Sequence, residues 1–257
     1  MEEAPAPWVS AIRNSQDRLR SLLEGLDEDQ LQAASYDPEW SIAQVLSHLG
    51  SQAEIFAMFL DAGLSGQEPP GREAFEPIWE AWNARDPRAQ ATDSIELNDA
   101  LVSRLGSLSP EEVERFHLNL FGMEIDAAGL ARMRLSEHAV HTWDIAVAID
   151  PAAEISPDAI ELLVDTLDQL VARAGRPDGV VRRLSVETTQ PERSFQLETL
   201  DKVLLSDATA EEAGAGLSLP AEAFVRLLYG RLDPDHTPEI DARDVDLDEL
   251  RRIFPGF

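Results

Sequence analysis

The sequence predicts an α+β protein in which an N-terminal four-helix bundle precedes a smaller α+β domain with an antiparallel sheet. Through roughly the first 150 residues, apolar side chains recur at helical intervals of three and four. After Pro157, short segments alternate between apolar and polar residues, as strands do. The chain has 257 residues, 44% of them hydrophobic, which is enough for two cores. We therefore expect two domains, residues 1–152 and 153–257.

Two N-terminal helices carry the clearest patterns. From Trp8 to about Leu23, apolar residues form a helical stripe. Ser41 is followed three residues later by Gln44, which is the pattern of a capping box. The apolar spacing then continues to Leu60, so a second helix is predicted to begin after Ser41.

A loop and two further helices complete the predicted bundle. Glycine, serine and two prolines occupy 63–71, which indicates a loop leading to a short Trp79/Trp82 segment. Helices are predicted over 92–108 and 127–149, each ending before an X-Pro pair. Four long helices in this length favour an antiparallel bundle.

The C-terminal part is predicted to begin with a helix over 157–173, closed by Gly175. Another helix is expected from Pro220 to Tyr229, stopped by Gly230. The predicted strands are Val180–Thr188, Ser194–Thr199, Lys202–Ser206 and Gly216–Leu219. Strands and helices that are not strictly alternating indicate an α+β domain.

Composition excludes several classes of function. The formal net charge is −28 and the acidic residues are spread along the chain, so nucleic acid and anionic membranes are not expected as partners. No apolar stretch has the length of a membrane span or a signal peptide, and we expect a cytoplasmic protein. There is no cysteine, so thiol chemistry would need a thiol from outside the chain. Lys202 is the sole lysine, and the preference for arginine is typical of a GC-rich genome.

Three residues are candidate ligands of one divalent metal ion. Glu137 and His141 are four residues apart on a predicted helix, which places both side chains on one face. His48 lies on the apolar stripe of the second helix and should point into the bundle. Histidine and glutamate from facing helices are a known way to build a metal site in a bundle core.

Spacing alone leaves other interpretations open. A lone histidine on an apolar stripe is more often a hydrogen-bonded core residue, and a Glu/His pair four apart can simply lie on a helix surface. His138 is an alternative ligand beside His141. His117 and His236 lie in polar surroundings and are interpreted as surface residues.

Two segments carry a resemblance to a known family. Trp40–Leu49 (WSIAQVLSHL) and Arg134–Asp144 (RLSEHAVHTWD) resemble the two signatures of the mycothiol-dependent maleylpyruvate isomerase family, within the DinB/YfiT-like metalloenzyme superfamily. The resemblance covers about the first 150 residues. Pro220–Arg231 is more weakly similar to a helix end of the family's C-terminal domain. The resemblance implies a DinB-like metal-binding bundle in 1–152 and a sterol-carrier-like α+β domain in 153–257.

The resemblance also implies the chemistry of the site. The family's ligands correspond to His48, Glu137 and His141, a set that suits a catalytic zinc with one open position, although Ni, Fe and Cu accept the same ligands. Mycothiol is implied as the external thiol, and the reaction as isomerisation of, or S-transfer to, a small electrophile such as maleylpyruvate. Arg231 is predicted as a catalytic cation for substrate carboxylates, because guanidinium groups bind carboxylates bidentately. An arginine favoured merely by a helix C-terminus is the alternative.

Other functions remain compatible with the same residues. A metal-dependent hydrolase would activate water at the open position, and a non-catalytic ligand-binding protein would keep the fold without turnover. Asp144 is predicted to hold a ligating imidazole, Trp143 to lie in the core, and Trp40 to pack at the start of its helix. We expect a small-molecule substrate, a monomer or homodimer, and an actinobacterial origin.

Overall fold

The computed structural model describes residues 5–37, 39–120, 122–208 and 214–256. The chain divides into two compact units, Met1–Ile155 and Ser156–Phe257. The predicted boundary, after residue 152, falls shortly before this division. Helices make up nearly all of the first unit, whereas the second combines helices with a mostly antiparallel sheet, so the predicted fold class is confirmed.

Four long helices dominate the described part of the first unit. The elements, in order, are α1 (Ala6–Leu23), α2 (Glu28–Leu31), α3 (Ile42–Ser65), α4 (Arg72–Asn83), α5 (Pro87–Gly106), α6 (Pro110–Arg115), the hairpin strands β1 (Leu118–Leu120) and β2 (Met123–Ile125), and α7 (Ala127–Ile149). The main contacts join α1 to α5 and α7, and α3 to α5 and α7. Helices α3 and α7 are therefore neighbours, although α5 lies between them in sequence.

Capping residues at both ends determine where helix α3 begins and ends. Ser41 and Gln44 form the predicted capping box, in which the Ser41 side chain accepts from the Gln44 amide and the Gln44 side chain accepts from the Ser41 amide. The helix ends at Gly66, whose positive φ of 67° is a left-handed cap that glycine adopts without strain. It therefore runs past the predicted end at Leu60.

Helix α4 was not predicted from sequence, because Pro77 and the glycines before it argue locally against a helix. It is held by Trp82, which is fully buried and donates from Nε1 to Glu54 on α3 at 2.8 Å. The Trp82 ring lies so close to Gly50 that a Cβ there would be 2.1 Å from it. Tertiary packing thus decides the conformation of this segment.

The second unit is built around a five-stranded sheet in its described residues. Its helices are α8 (Pro157–Leu163), α9 (Leu167–Ala174), α10 (Ala221–Leu228) and α11 (Leu247–Ile253), and its strands are β3 (Arg182–Thr189), β4 (Arg193–Thr199), β5 (Val203–Asp207), β6 (Ala215–Pro220) and β7 (Asp241–Arg243). The strand order is β5-β4-β3-β6-β7. The four predicted strands correspond to β3 to β6, while β7 and α11 were not predicted.

Two details of the second unit differ from prediction. Strands β3 and β6 pair in parallel, so the sheet is not purely antiparallel. Alternation specifies that a segment is a strand but not which edge it joins, and β4 already occupies the other edge of β3. The predicted helix 157–173 is divided by a 3₁₀ turn at Val164–Thr166, where the Thr166 hydroxyl donates to the Leu163 carbonyl.

In the described residues, no helix combines the length and the apolar composition that crossing a membrane requires.

Candidate metal centre

His48, Glu137 and His141 converge in the first unit. Each offers one ligand atom, and the three atoms lie within 4.8 Å of one another. His48 Nε2 is 3.4 Å, and His141 Nε2 is 3.8 Å, from the same Glu137 oxygen, Oε2. Ligands about 2.1 Å from a tetrahedral zinc stand roughly 3.4 Å apart, so a divalent cation fits this set with small movements.

The convergence follows from helix spacing and from the contact between α3 and α7. Glu137 and His141 are one turn apart on α7, and His48 comes from the middle of α3. The two imidazole rings meet edge to face, with centroids 4.5 Å apart. Their side chains are part exposed, at 21% for His48, 38% for Glu137 and 16% for His141. A cation held by three protein ligands would therefore keep an accessible fourth position.

The pKa shifts of two of the three donors, His48 and Glu137, favour metal binding. Burial lowers the pKa of His48, and the hydrogen bond with Glu137 offsets only part of this effect. Burial alone would raise the pKa of Glu137, but the hydrogen bond from His48 and the charge of His141 outweigh it and lower that pKa to about 2. Neutral imidazole and ionised carboxylate are the forms that bind metals.

Asp144 orients His141. His141 Nδ1 donates to Asp144 Oδ2 at 2.8 Å, and the Asp144 side chain is 3% exposed. This is the hydrogen bond predicted for Asp144. It fixes the tautomer that leaves Nε2 of His141 available to a metal.

His138 points to a different neighbour. The ring is fully buried against α1, where Nε2 donates to Gln16 Oε1 at 2.9 Å. Nδ1 must then accept, and Ser15 donates to it at 2.8 Å. Both nitrogens are thus engaged away from the three clustered donors. Burial, with help from the charge of Arg134, lowers the pKa of His138.

Arg134 is a buried cation that the sequence did not single out. It is fully buried, and its Nη2 donates to the Leu49 carbonyl at 3.1 Å and to the Asn98 side chain. Nε and Nη1 have no hydrogen-bond partner among the described residues. Burial lowers its pKa to about 10, against the opposing effect of Glu137, so it stays charged at neutral pH. Its guanidinium also lies 5.5 Å from the Phe56 ring.

The two tryptophans of the signatures lie in contrasting surroundings. Trp143 is in the core, as predicted, with Nε1 donating to the Ala153 carbonyl at 2.8 Å. Trp40 lies at the start of α3, as predicted, but it packs there only in part, because the residue is 37% exposed. Its ring lies 5.5 Å from that of His48 and 6.5 Å from that of His141. The sequence could not show that the Trp40 ring lies beside these two imidazoles, since Trp40 precedes the helix and follows no periodic pattern.

The remaining candidates lie elsewhere. Arg231 belongs to the second unit, just after α10, and its Nη1 donates to the Tyr229 carbonyl at 3.0 Å. Its catalytic role stays a prediction. His117 is a surface residue, as predicted, paired with Glu124 at 2.6 Å. His236 is more buried than predicted, at 25% side-chain exposure, because its Nδ1 pairs with Asp233.

Comparison with known proteins places these observations in a family. The crystal structure of the mycothiol-dependent maleylpyruvate isomerase has a TM-score of 0.67 and 14% identity, covering 89% of this chain and 90% of that one. A mutant of that isomerase matches with the same TM-score at 15% identity, again covering 89% and 90%. These likenesses establish the fold.

Sequence comparison adds one curated relative and one family. A Geobacillus thermodenitrificans (strain NG80-2) protein named "Putative metal-dependent hydrolase" is 32% identical over 72 residues, which span 28% of this chain and 40% of that protein. The family described as mycothiol maleylpyruvate isomerase N-terminal domain matches residues 12–146, more than half of the chain, and this match contains all three clustered donors. The chain belongs to the mycothiol maleylpyruvate isomerase N-terminal domain family.

Proposed function

We propose that this protein is a metal-dependent enzyme that uses an external low-molecular-weight thiol, mycothiol, to isomerise a small electrophile such as maleylpyruvate or to transfer the thiol to it. The observation that carries the proposal is the convergence of the His48, Glu137 and His141 donor atoms within 4.8 Å, on side chains that are all part exposed. Membership of the isomerase family supports the thiol, and the absence of cysteine means that the chain does not supply one. Zinc is the expected metal.

Each residue has a defined part in this proposal. His48, Glu137 and His141 would hold the metal, and Asp144 would keep Nε2 of His141 available by accepting from Nδ1. When bound, a divalent cation lowers the pKa of a thiol coordinated beside it. A thiolate supplied in this way would add to a conjugated double bond of the substrate, allow rotation about the resulting single bond, and be expelled as the double bond re-forms. Retention of the sulfur, with the proton released by the thiol transferred to the substrate carbon, would instead give S-transfer.

Arg231 is proposed to bind a substrate carboxylate. The segment that carries it is anchored within the second unit, since the Arg231 amide donates to the Arg226 carbonyl at 2.7 Å. Replacing Arg231 by Met would remove the bidentate contact, and we expect KM to rise more than kcat falls. A cytoplasmic location, a small-molecule substrate and a monomeric or homodimeric state complete the proposal.

The test combines metal analysis with a thiol-dependence assay. Wild-type protein is expected to retain one divalent metal per chain and to convert maleylpyruvate only when mycothiol is added. His48→Ala should lose both the metal and the turnover, whereas the surface variant His117→Ala should keep both. Metal-replete wild-type protein that turned over no electrophile with any low-molecular-weight thiol would refute the proposal.

A hydrolase is the second candidate, favoured by the name of the Geobacillus relative and by the same accessible fourth position. In that case a bound water would be the nucleophile. Metal-dependent hydrolysis at an undiminished rate without thiol would support this alternative.

A further inference from the structure

Trp40 is the most exposed of the five tryptophans, all of which lie in the described residues. Trp8, Trp82 and Trp143 are 2%, 0% and 1% exposed and Trp79 is of intermediate exposure, while Trp40 is 37% exposed. The exposed part of the indole contributes nothing to the core, because the hydrophobic effect depends on the area removed from water. Its position beside two imidazoles of the candidate metal centre therefore calls for a role in binding.

Two hydrogen bonds fix the main chain of Trp40. The Trp40 carbonyl accepts from the Ser35 amide at 2.8 Å, and the Trp40 amide donates to the Asp37 carbonyl at 3.0 Å. The next residue, Ser41, is the N-cap of α3. The main chain that carries the indole is therefore fixed by hydrogen bonds and leads directly into the helix carrying His48. A side chain held in this way can line a binding site before the ligand arrives.

The ring presents a flat face close to the donors. Its plane lies within 12° of the His141 ring plane, and its centroid is 5.5 Å from that of His48. A substrate carbon attacked by a nucleophile held at the donor atoms must approach to about 3–3.5 Å of that nucleophile. The Trp40 centroid is 5.5 Å from the His48 ring and 6.5 Å from the His141 ring, so the indole is next to any substrate that binds at their donor atoms.

We propose that Trp40 binds the planar, unsaturated part of the substrate by stacking beside the metal centre. The inference rests on the proposed function for the location of the reaction and for its conjugated, planar electrophile, and it adds the residue that binds the planar part. A saturated chain of the same charge has no π-system that could stack on the indole. Stacking on the indole therefore predicts tighter binding of a planar ligand than of a saturated one, whereas nonspecific contact with the ring predicts no such preference.

The test measures binding to the zinc-loaded protein, without turnover. Fumarate is the planar probe, and succinate is its saturated analogue with the same two carboxylates. Calorimetric titrations compare wild type, Trp40→Leu and Trp40→Phe, with Trp79→Leu on α4 as the matched tryptophan control. Metal content is measured on every sample. Tryptophan fluorescence is recorded with fumarate, because the indole that contacts the ligand should respond.

Stacking predicts that Trp40→Leu weakens fumarate binding about three- to tenfold, while succinate binding, metal content and the Trp79→Leu control stay unchanged. Trp40→Phe should retain most of the affinity for fumarate but lose the fluorescence response. Equal weakening of both ligands, unchanged fumarate affinity in Trp40→Leu, or no fumarate binding to wild type would overturn the proposal.

The same samples separate this inference from the proposed function. Selective loss of fumarate binding in Trp40→Leu supports the role of Trp40 even if wild type shows no thiol-dependent turnover, which would count against the proposed function alone. Thiol-dependent turnover with an unchanged KM in Trp40→Leu would sustain the proposed function and overturn the role of Trp40.

Discussion

Two arginine–glutamate pairs, one in each unit, use the same side chains in opposite ways. On α10, Arg226 and Glu222 form a bidentate ion pair, with nitrogen–oxygen distances of 2.7 and 2.8 Å, and both side chains are buried. On α7, Arg134 and Glu137 are three residues apart, but in the described residues Arg134 makes no ion pair within 4 Å. Glu137 faces His48 and His141, while Arg134 is left with two unpartnered nitrogens.

The two pairs differ in whether the buried charges neutralise each other. The pair on α10 is closed, since each charge is matched by the other, and nothing remains to bind a ligand. On α7 the carboxylate is turned to the imidazoles and the guanidinium stays incompletely satisfied, which costs stability in an interior. Proteins break such local rules mainly at functional sites. The open arrangement includes Glu137, one of the three residues proposed to hold the metal.

The largest contrast is expected from replacing each glutamate by glutamine. Glu137→Gln replaces the one anionic donor of the three by a neutral amide. We expect that this variant no longer binds one metal ion per chain at micromolar concentration. Glu222→Gln should leave metal content unchanged but lower the free energy of unfolding by about 3 kcal/mol, because it strands the buried Arg226 charge. Metal analysis and urea unfolding followed by far-UV circular dichroism measure the two effects. Metal loss in both variants, or in neither, would break the comparison.

Asp144→Asn tests whether the donor set depends on its hydrogen-bonded support. The amide is nearly isosteric, but it cannot provide the anionic acceptor that fixes the His141 tautomer. We expect metal affinity to fall about 10- to 100-fold, measured by competition with a chelator. Glu124→Gln, next to the exposed His117, is the control for a comparable change outside the site. An unaltered affinity in Asp144→Asn would remove Asp144 from the metal centre.

Arg134→Met probes the open pair from its other side. Methionine fills a similar volume without a charge, so the loss of hydrogen bonds to Leu49 and Asn98 is partly offset by removal of two unpartnered nitrogens. We expect a cost of only about 1 kcal/mol. Arg226→Met in the closed pair should cost more, since it strands Glu222. Equal costs in chemical denaturation would show that the two pairs do not differ energetically.

Acid should destabilise the two units in different pH ranges, and this is the smallest expected effect. In the metal-free protein, the pKa values of His48 and His138 lie below the ordinary 6.5, so below pH 6.5 the unfolded chain binds protons that the folded chain does not, and stability falls. In the second unit, the hydrogen bond from Arg182 lowers the pKa of Asp178 from 3.8 to about 2. That stabilisation is present above pH 3.8 and is lost as the pH falls toward 2.

The measurement can resolve the units because all five tryptophans lie in the first. Urea unfolding at pH 7 and pH 5, followed by tryptophan fluorescence, should show the loss in the first unit. Hydrogen-exchange protection of β3 and β4 should show no corresponding loss of stability in the second unit. Asp178→Asn should lower the stability of the second unit above pH 3.8 and remove the change between pH 3.8 and about 2. Simultaneous loss in both units at pH 5 would contradict the assignment.

The fold was largely predictable where local signals agreed. The four long helices, the capping box at Ser41 and the strands β3 to β6 follow from periodicity and from the residues at element ends. Helix α4 could not be predicted, because the burial of Trp82 against Gly50 outweighs its unfavourable local sequence. The parallel pairing of β6 with β3 also lay beyond the pattern, since alternation does not specify a partner.

For the candidate site, the sequence by itself determined that Glu137 and His141 share a helix face, because their separation matches one helical turn. It also determined that any thiol must come from outside. Only the tertiary structure decided that α3 lies beside α7, which brings His48 within 3.4 Å of Glu137. It alone turned Trp40 toward the imidazoles and left Arg134 incompletely paired. Helical periodicity specifies which face a side chain occupies, whereas the neighbour that meets this face depends on contacts between residues distant in sequence.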